Sequence, residues 1–75
     1  MIDKGYIVHD GGRYDWQVDH SDRPTPRGID GGKVNRVSVV KDGSLYGVTS
    51  RDYLGAPRDK FTGTLIAALI ERFEE

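Results

Sequence analysis

A glycine-rich turn leads directly into the most strand-like segment of this chain, and it constrains the fold more than any other stretch. The turn spans residues 28–33, and the run after it, residues 34–40, contains four valines. Valine fits a pleated, half-buried surface, and glycine allows positive φ or a close approach of another backbone. A turn of this kind sets the register of the strand at one end, so we expect the neighbouring strands to align on residues 34–40.

Two Asp-Gly pairs predict two β-hairpins around this strand. Residues 5–9 form a first candidate strand that ends at Asp10-Gly11. Residues 13–20 then alternate, with Tyr14, Trp16 and Val18 on one face and polar residues on the other, which is typical of a strand with one buried face. The second pair, Asp42-Gly43, separates residues 34–40 from a fourth strand at residues 45–49.

The C-terminal segment carries one apolar stripe at helical spacing, and Asp59 or Thr62 can cap its N-terminus. The stripe consists of Phe61, Leu65, Ile66, Leu69, Ile70 and Phe73. Such a helix buries its stripe by lying across a sheet. We therefore predict one α+β domain over residues 1–75: a four-stranded, mainly antiparallel sheet with one C-terminal helix (ββββα). Trp16 is expected to share a core with Phe61, Leu65 and Leu69.

Composition narrows the setting and the chemistry. The chain is 36% hydrophobic and has no cysteine, which excludes thiol catalysis, zinc ribbons and iron–sulfur clusters and favours a cytoplasmic location. No run approaches the roughly 18 apolar residues that span a bilayer, and no signal peptide is visible. Residues 28–33 do not form a phosphate-binding loop, because Arg27 stands where its outer glycine is required and Val34 replaces its Ser/Thr. We expect no catalytic residues, no metal and no cofactor. His9 and His20, which we expect to lie near each other across the first hairpin, are only a weak metal signal.

Two loops are the candidate contact surfaces. Residues 21–32 form the longest irregular stretch, which either carries a function or takes the chain over the end of the sheet. We predict that the Ser21–Lys33 loop and the Arg51–Arg58 loop contact a partner, because arginine and tyrosine are frequent interface hot spots. The predicted partner-binding residues are Arg23, Arg27, Asp30, Lys33, Arg51, Tyr53 and Arg58.

Two alternatives stay open. The sheet could bind nucleic acid through Arg13, Arg36 and Lys41, although 11 basic and 12 acidic residues, a net charge of −1, predict only weak binding. A small homo-oligomer could instead bring its glycine loops and arginines together around a small anionic ligand such as a nucleotide.

Three glutamates, Glu71, Glu74 and Glu75, oppose the dipole at the C-terminal end of the helix, so we expect that end to fray.

Residues 13–54 resemble an uncharacterised family of small phage and prophage proteins. The resemblance rests on residues 14–18, a proline-containing loop, and a Gly-Ile-x-Gly-Gly-Lys/Arg-Ile/Val pattern at residues 28–34. The family's later Tyr-x-Arg-Gly-Trp-like segment is matched by residues 50–55, which lack the tryptophan. The resemblance implies a mobile-element protein. We therefore expect a small non-catalytic protein, monomeric or a small homo-oligomer, that inhibits a host or antiviral-defence factor such as a CRISPR effector.

Overall fold

A computed structural model describes residues 1–55 and 59–75 as an antiparallel sheet with one helix on one face. The strands lie in chain order across the sheet. The elements are β1 (Ile2–His9), β2 (Gly12–His20), a 3-10 turn (Ile29–Gly31), β3 (Val34–Lys41), β4 (Ser44–Thr49), β5 (Tyr53–Leu54) and α1 (Lys60–Glu74). The predicted ββββα architecture is confirmed. The two-residue strand β5 is an addition in a segment that the sequence predicts to be a loop.

Both predicted hairpin turns form as expected. Asp10 and Gly11 join β1 to β2, Asp42 and Gly43 join β3 to β4, and all four have φ between 50° and 76°. Positive φ at both central residues defines the type I′ turn, whose twist matches that of paired strands.

A β-bulge adjusts which residues of β3 face the helix. Val37 pairs with Val18, but the register shifts between Asp19 and His20, so that His20 pairs with Val34. One extra residue in β3 absorbs the shift, and Val34 therefore joins Val37 and Val39 in the core.

The other side of the sheet, here called the open face, carries the alternate residues of each strand. Tyr6, Asp15, Val40 and Leu45 form one row across it from β1 to β4. Arg36 and Ser38 also lie there, as the alternation predicts.

The core lies between α1 and the central strands, and α1 packs mainly on β3 and on β2. Its buried members are Tyr14, Val18, Val34, Val37, Val39, Leu65, Ile66 and Leu69. Trp16 belongs to its margin: the indole is half-buried, lies against Gly5, and has its ring centroid 6.0 Å from that of Phe73. Trp16 therefore lies on the helix side of the sheet, as predicted. Its ring neighbour on α1 is Phe73, near the C-terminal end of the helix.

The C-terminal end of α1 is attached to the start of β3. Both carboxylate oxygens of Glu74 accept backbone hydrogen bonds, from Lys33 N at 2.7 Å and Val34 N at 3.0 Å. Gly32 leaves the space for this carboxylate, since a β-carbon there would collide with it. The expectation that this end frays considered only the helix dipole. Glu74 opposes that dipole, but its carboxylate also accepts two hydrogen bonds from the start of β3. No helix in the described part of the chain has the length and apolar character needed to cross a bilayer.

Two leucines test the position of the core. Leu69 is 4% exposed under α1, whereas Leu45 is 43% exposed on the open face. We expect Leu69→Ala to lower the free energy of unfolding by about 2–5 kcal/mol, through lost burial and the cavity left behind. Leu45→Ala should cost about 1 kcal/mol or less, because less area leaves contact with protein. Urea denaturation of both variants measures the difference, and equal losses would contradict this core.

Candidate functional site

Two segments that the sequence predicts as contact surfaces meet at one end of the sheet. Arg27, from the loop between β2 and β3, lines a depression of about 320 Å³ together with Thr49, Ser50 and Arg51. We call this the arginine depression. Both arginines are exposed, and Arg36 lies directly across from Thr49 in the β3–β4 ladder. Positive charge at the depression therefore comes from two separate parts of the chain, and Arg36 lies on the strand next to it.

The loop that carries Arg27 is folded back on itself. Its ends are joined by a hydrogen bond from Ser21 N to Lys33 O (2.8 Å), and Thr25 N donates to Gly32 O (3.1 Å). Gly28 is buried and approaches Gly32 so closely that a β-carbon would collide with its carbonyl. The loop connects neighbouring antiparallel strands and does not cross the sheet. The hydrogen bonds within the loop hold the backbone that carries Arg27 in place.

Arg51 is positioned by a tight turn between β4 and β5. The Thr49 hydroxyl accepts hydrogen bonds from Arg51 N (3.3 Å) and Asp52 N (3.0 Å), and Thr49 N donates to Asp52 O (2.9 Å). The backbone of the turn is thereby satisfied internally, which leaves the Arg51 side chain to project from it.

The guanidinium groups of the arginine depression have no carboxylate partner within residues 1–55 and 59–75. A guanidinium is always charged and presents planar donors that match a carboxylate or a phosphate. The depression can therefore bind an anionic group on another molecule.

The remaining predicted partner residues are spread around this site. Arg23 and Asp30 are exposed in the loop without lining the depression, and Asp30 adopts φ 53° in the 3-10 turn. The Lys33 ammonium donates to Glu75 O at 3.4 Å. Tyr53, on β5, is 69% exposed. Arg58 lies outside the described residues.

The structure separates the three residues of the nucleic-acid alternative. Arg13 is on the open face, where its guanidinium bonds Asp15 at 3.1 Å and lies over the Tyr6 ring. Arg36 is on the same face. Lys41 faces the helix side with Val37 and Val39, so the prediction that it shares a surface with Arg13 and Arg36 is wrong. Alternation along β3 places residue 41 with the buried valines.

Lys41 instead belongs to a polar cluster that sequence reasoning missed. Its ammonium donates to the Tyr14 hydroxyl (2.8 Å) and to Asp59 Oδ2 (2.7 Å), and the Tyr14 hydroxyl donates to the same oxygen (2.7 Å). Asp59 Oδ1 accepts from Thr62 N (2.9 Å) and so caps α1. The cluster fixes the N-terminal end of the helix to β2 and β3. The clue was available, because an ammonium on the buried side of a strand needs an anionic partner.

The charges of this cluster stay fixed at neutral pH. Hydrogen bonds from Lys41, Tyr14 and Thr62 hold the pKa of the Asp59 carboxyl well below its usual range. The bonds to Asp59 and Tyr14 raise the pKa of Lys41 above that of a free lysine. A second depression of about 320 Å³ borders this cluster, between His9 and Lys60. Because neither charged group exchanges a proton readily near neutral pH, we interpret the cluster as a structural attachment of α1.

The two histidines lie at opposite ends of the β1–β2 hairpin, so the expectation that they are close is wrong. His9 pairs with Gly12 beside the turn and stacks on Phe61, with ring centroids 3.8 Å apart. His20 lies at the far end, with Nε2 2.6 Å from Asp3 Oδ2. Among the residues that the structure describes, no cluster of His, Asp or Glu could hold a metal ion.

Both attachments of α1 predict a pH dependence of stability. Hydrogen bonds from Lys33 N and Val34 N lower the pKa of Glu74, as the cluster lowers that of Asp59. A lowered carboxyl pKa gives stability that is present above the unfolded value, about 4, and is lost as pH falls. The raised pKa of Lys41 gives stability that is present below about 10.4 and is lost at higher pH.

We therefore expect the urea midpoint to be level from about pH 5 to about pH 10 and to fall on either side. In Asp59→Asn/Glu74→Gln the midpoint at neutral pH should be lower and the acid decline weaker. Asp22→Asn, at an exposed loop position, is the control and should retain the wild-type profile. An unchanged acid decline in the double variant would refute the role of these carboxylates.

Comparison of the whole chain with protein-family models, curated proteins and solved structures gives no match. The resemblance to small phage and prophage proteins stays a prediction.

Proposed function

We propose that this chain is a small, non-catalytic binding protein that docks its arginine depression on an acidic surface of a partner protein. The observation that supports the proposal most directly is the meeting of Arg27 and Arg51 from two distant segments. Together with the phage-like sequence pattern, it favours a mobile-element protein that inhibits a host or antiviral-defence factor such as a CRISPR effector.

The physical argument begins with the cost of ordering a contact surface. Binding is weakened when side chains and loops must first be immobilised. The backbones that carry Arg27 and Arg51 are already closed by internal hydrogen bonds. Each arginine can then form charge-assisted, bidentate bonds to a carboxylate at a smaller loss of freedom.

The surroundings of the depression suit a protein interface. Tyr53, on the strand next to the Thr49–Asp52 turn, presents a largely exposed ring that can act as an apolar anchor. Arginine and tyrosine are among the residues most enriched at interface hot spots. The overall charge is close to zero, so attraction to a partner depends on this local concentration of arginines.

The test compares two double variants that each remove two exposed guanidinium groups. Arg27→Ala/Arg51→Ala empties the depression, whereas Arg13→Ala/Arg72→Ala leaves it intact. Each protein is expressed in bacteria whose CRISPR system targets an infecting phage, and plaque formation is counted. Affinity capture from the same cells, at low and high salt, identifies the bound protein. We expect wild type and the control variant to restore plaques and to capture one salt-sensitive partner, and the depression variant to lose both.

Two results would count against the proposal. If the two double variants behave alike, the arginine depression is not the contact site. If wild type captures no specific protein and leaves plaque formation unchanged, inhibition of this class of defence factor is refuted.

The second candidate is capture of a small anionic ligand by the same depression, within one copy of the chain rather than between the copies of a homo-oligomer. The specific observation in its favour is a concave site that is lined by Arg27, Ser50 and Arg51. Its volume falls near the lower end of the range for small-molecule sites, about 300–1,000 Å³. Phosphate groups suit such a donor set.

Isothermal titration calorimetry with inorganic phosphate and with ATP tests this candidate. We expect heat of binding in wild type and in Arg13→Ala/Arg72→Ala, and none in Arg27→Ala/Arg51→Ala. Absence of heat with wild type would exclude the ligand class of these probes, and equal heat in all three proteins would place binding elsewhere.

A further inference from the structure

The two edges of the sheet differ sharply. One edge is β5, with two residues, and the other is β1, with eight. In β1 every residue except Gly5 is exposed, and Ile2, Tyr6 and Val8 are 57–61% exposed. Natural sheets usually protect a long apolar edge by covering it, shortening it or adding charges. Within β1, Lys4 is the one lysine or arginine.

The register shows which backbone groups of β1 point outwards. Met1 and His20 exchange both of their backbone hydrogen bonds, each at 2.9 Å. In an antiparallel ladder such pairs alternate with pairs that make no bonds to each other. The odd-numbered residues of β1 therefore bond to β2. Ile2, Lys4, Tyr6 and Val8 direct their N–H and C=O groups to the open edge.

We propose that β1 pairs antiparallel with β1 of a second copy, so that two sheets join into one continuous sheet across a two-fold axis at Gly5. Such an interface is isologous, because the same strand serves both copies. Backbone hydrogen bonds supply the attraction, as in other cases of strand addition to a sheet edge.

The placement of the axis follows from the outward groups and their charges. With the axis at Gly5, Ile2 pairs with Val8 of the second copy and Lys4 pairs with Tyr6, so every outward group finds a partner. With the axis at Lys4, two lysines would lie directly opposite each other, which is destabilising. With the axis at Tyr6, Ile2 would be left without a partner.

The side chains fit the Gly5-centred arrangement on both faces. On the open face, each Lys4 ammonium lies beside a tyrosine ring of the other copy, where a cation–π contact is favourable. On the helix face, Gly5 has no side chain, and the Trp16 indole of its own copy occupies that space. Asp3 comes opposite Ile7 of the second copy, with its carboxylate already bonded to His20.

This interface is independent of the arginine depression and of the proposed function. The depression is built from the β2–β3 loop and the end of β4, and β1 lies at the other edge of the sheet. The dimer would carry one depression at each outer end.

The test is a charge exchange across the interface, read by size-exclusion chromatography with light scattering. Tyr6→Lys places lysines opposite each other twice per dimer. Within one copy the new lysine lies across from Asp15 and replaces the ring under Arg13, so urea denaturation first establishes that this variant is folded. Lys4→Glu/Tyr6→Lys converts both contacts into opposite-charge pairs. Leu45→Lys is the control, since it adds the same charge to the open face away from the edge.

We expect wild type, the control and Lys4→Glu/Tyr6→Lys to have twice the monomer mass at micromolar concentration, and Tyr6→Lys to have the monomer mass. A wild-type monomer, or a dimer that persists in Tyr6→Lys, would refute pairing through β1. Failure of the charge exchange to restore the dimer would refute the axis at Gly5.

Amide hydrogen exchange of the wild-type protein gives a second measurement that needs no variant. In concentrated protein the amides of Lys4, Tyr6 and Val8 should be protected, and dilution should increase their exchange several-fold. The amides of Gly5 and Ile7 bond within the monomer and should be protected at both concentrations. Fast exchange of the outward amides at high concentration would contradict the dimer.

Discussion

The contact of α1 with β2 and β3 is the interaction on which the rest of the described structure depends. A single helix covers one face of a sheet, so its position determines which surfaces remain in water. The apolar stripe of α1 meets the valines of β2 and β3, and a carboxylate fixes each end. Asp59 bonds Lys41 and Tyr14 at the start of the helix, and Glu74 bonds two backbone amides at its end. These polar contacts orient the helix, which hydrophobic burial alone does not do because it is non-directional.

Once α1 lies over the central strands, the exposed features fall at the margins of the sheet. The arginine depression occupies the end where the β2–β3 loop meets the β4–β5 turn. The outward N–H and C=O groups of β1, on the side away from β2, lie at one edge of the sheet. Both are presented by structure that is internally bonded, and both leave charge or hydrogen-bonding groups for a partner. A domain of this size has little volume for a deep cleft, so recognition at a surface suits it better than an enclosed site.

Charged residues of the chain divide into those used for the fold and those left for recognition. Lys41, Asp59 and Glu74 are bonded to distant parts of the chain, and Arg13 is paired with Asp15. Arg27 and Arg51 have no such partner among the described residues. Residue type alone does not separate the two groups, since a lysine or arginine in a list of basic residues can serve either purpose. The face of the strand and the neighbours across the sheet decide it.

The strands, the hairpin turns and the helix of this protein could be predicted from the sequence alone, because each depends on interactions between residues close together in the chain. Alternation along residues 13–20, the Asp-Gly turns and the helical stripe each depend on nearby residues, and all three predictions are confirmed in the described structure. Tertiary structure decided contacts between residues far apart in the chain. The bulge that brings Val34 into the core, the Lys41–Asp59 pair, the Glu74 attachment and the meeting of Arg27 with Arg51 depend on strand order, register and helix position. The sequence predicts that Arg51 lies in a loop and could contact a partner. Only the folded sheet shows that Arg51 and Arg27 line the same depression. The physical reason is that periodicity specifies which face a side chain occupies, whereas its partner is set by how the faces are assembled.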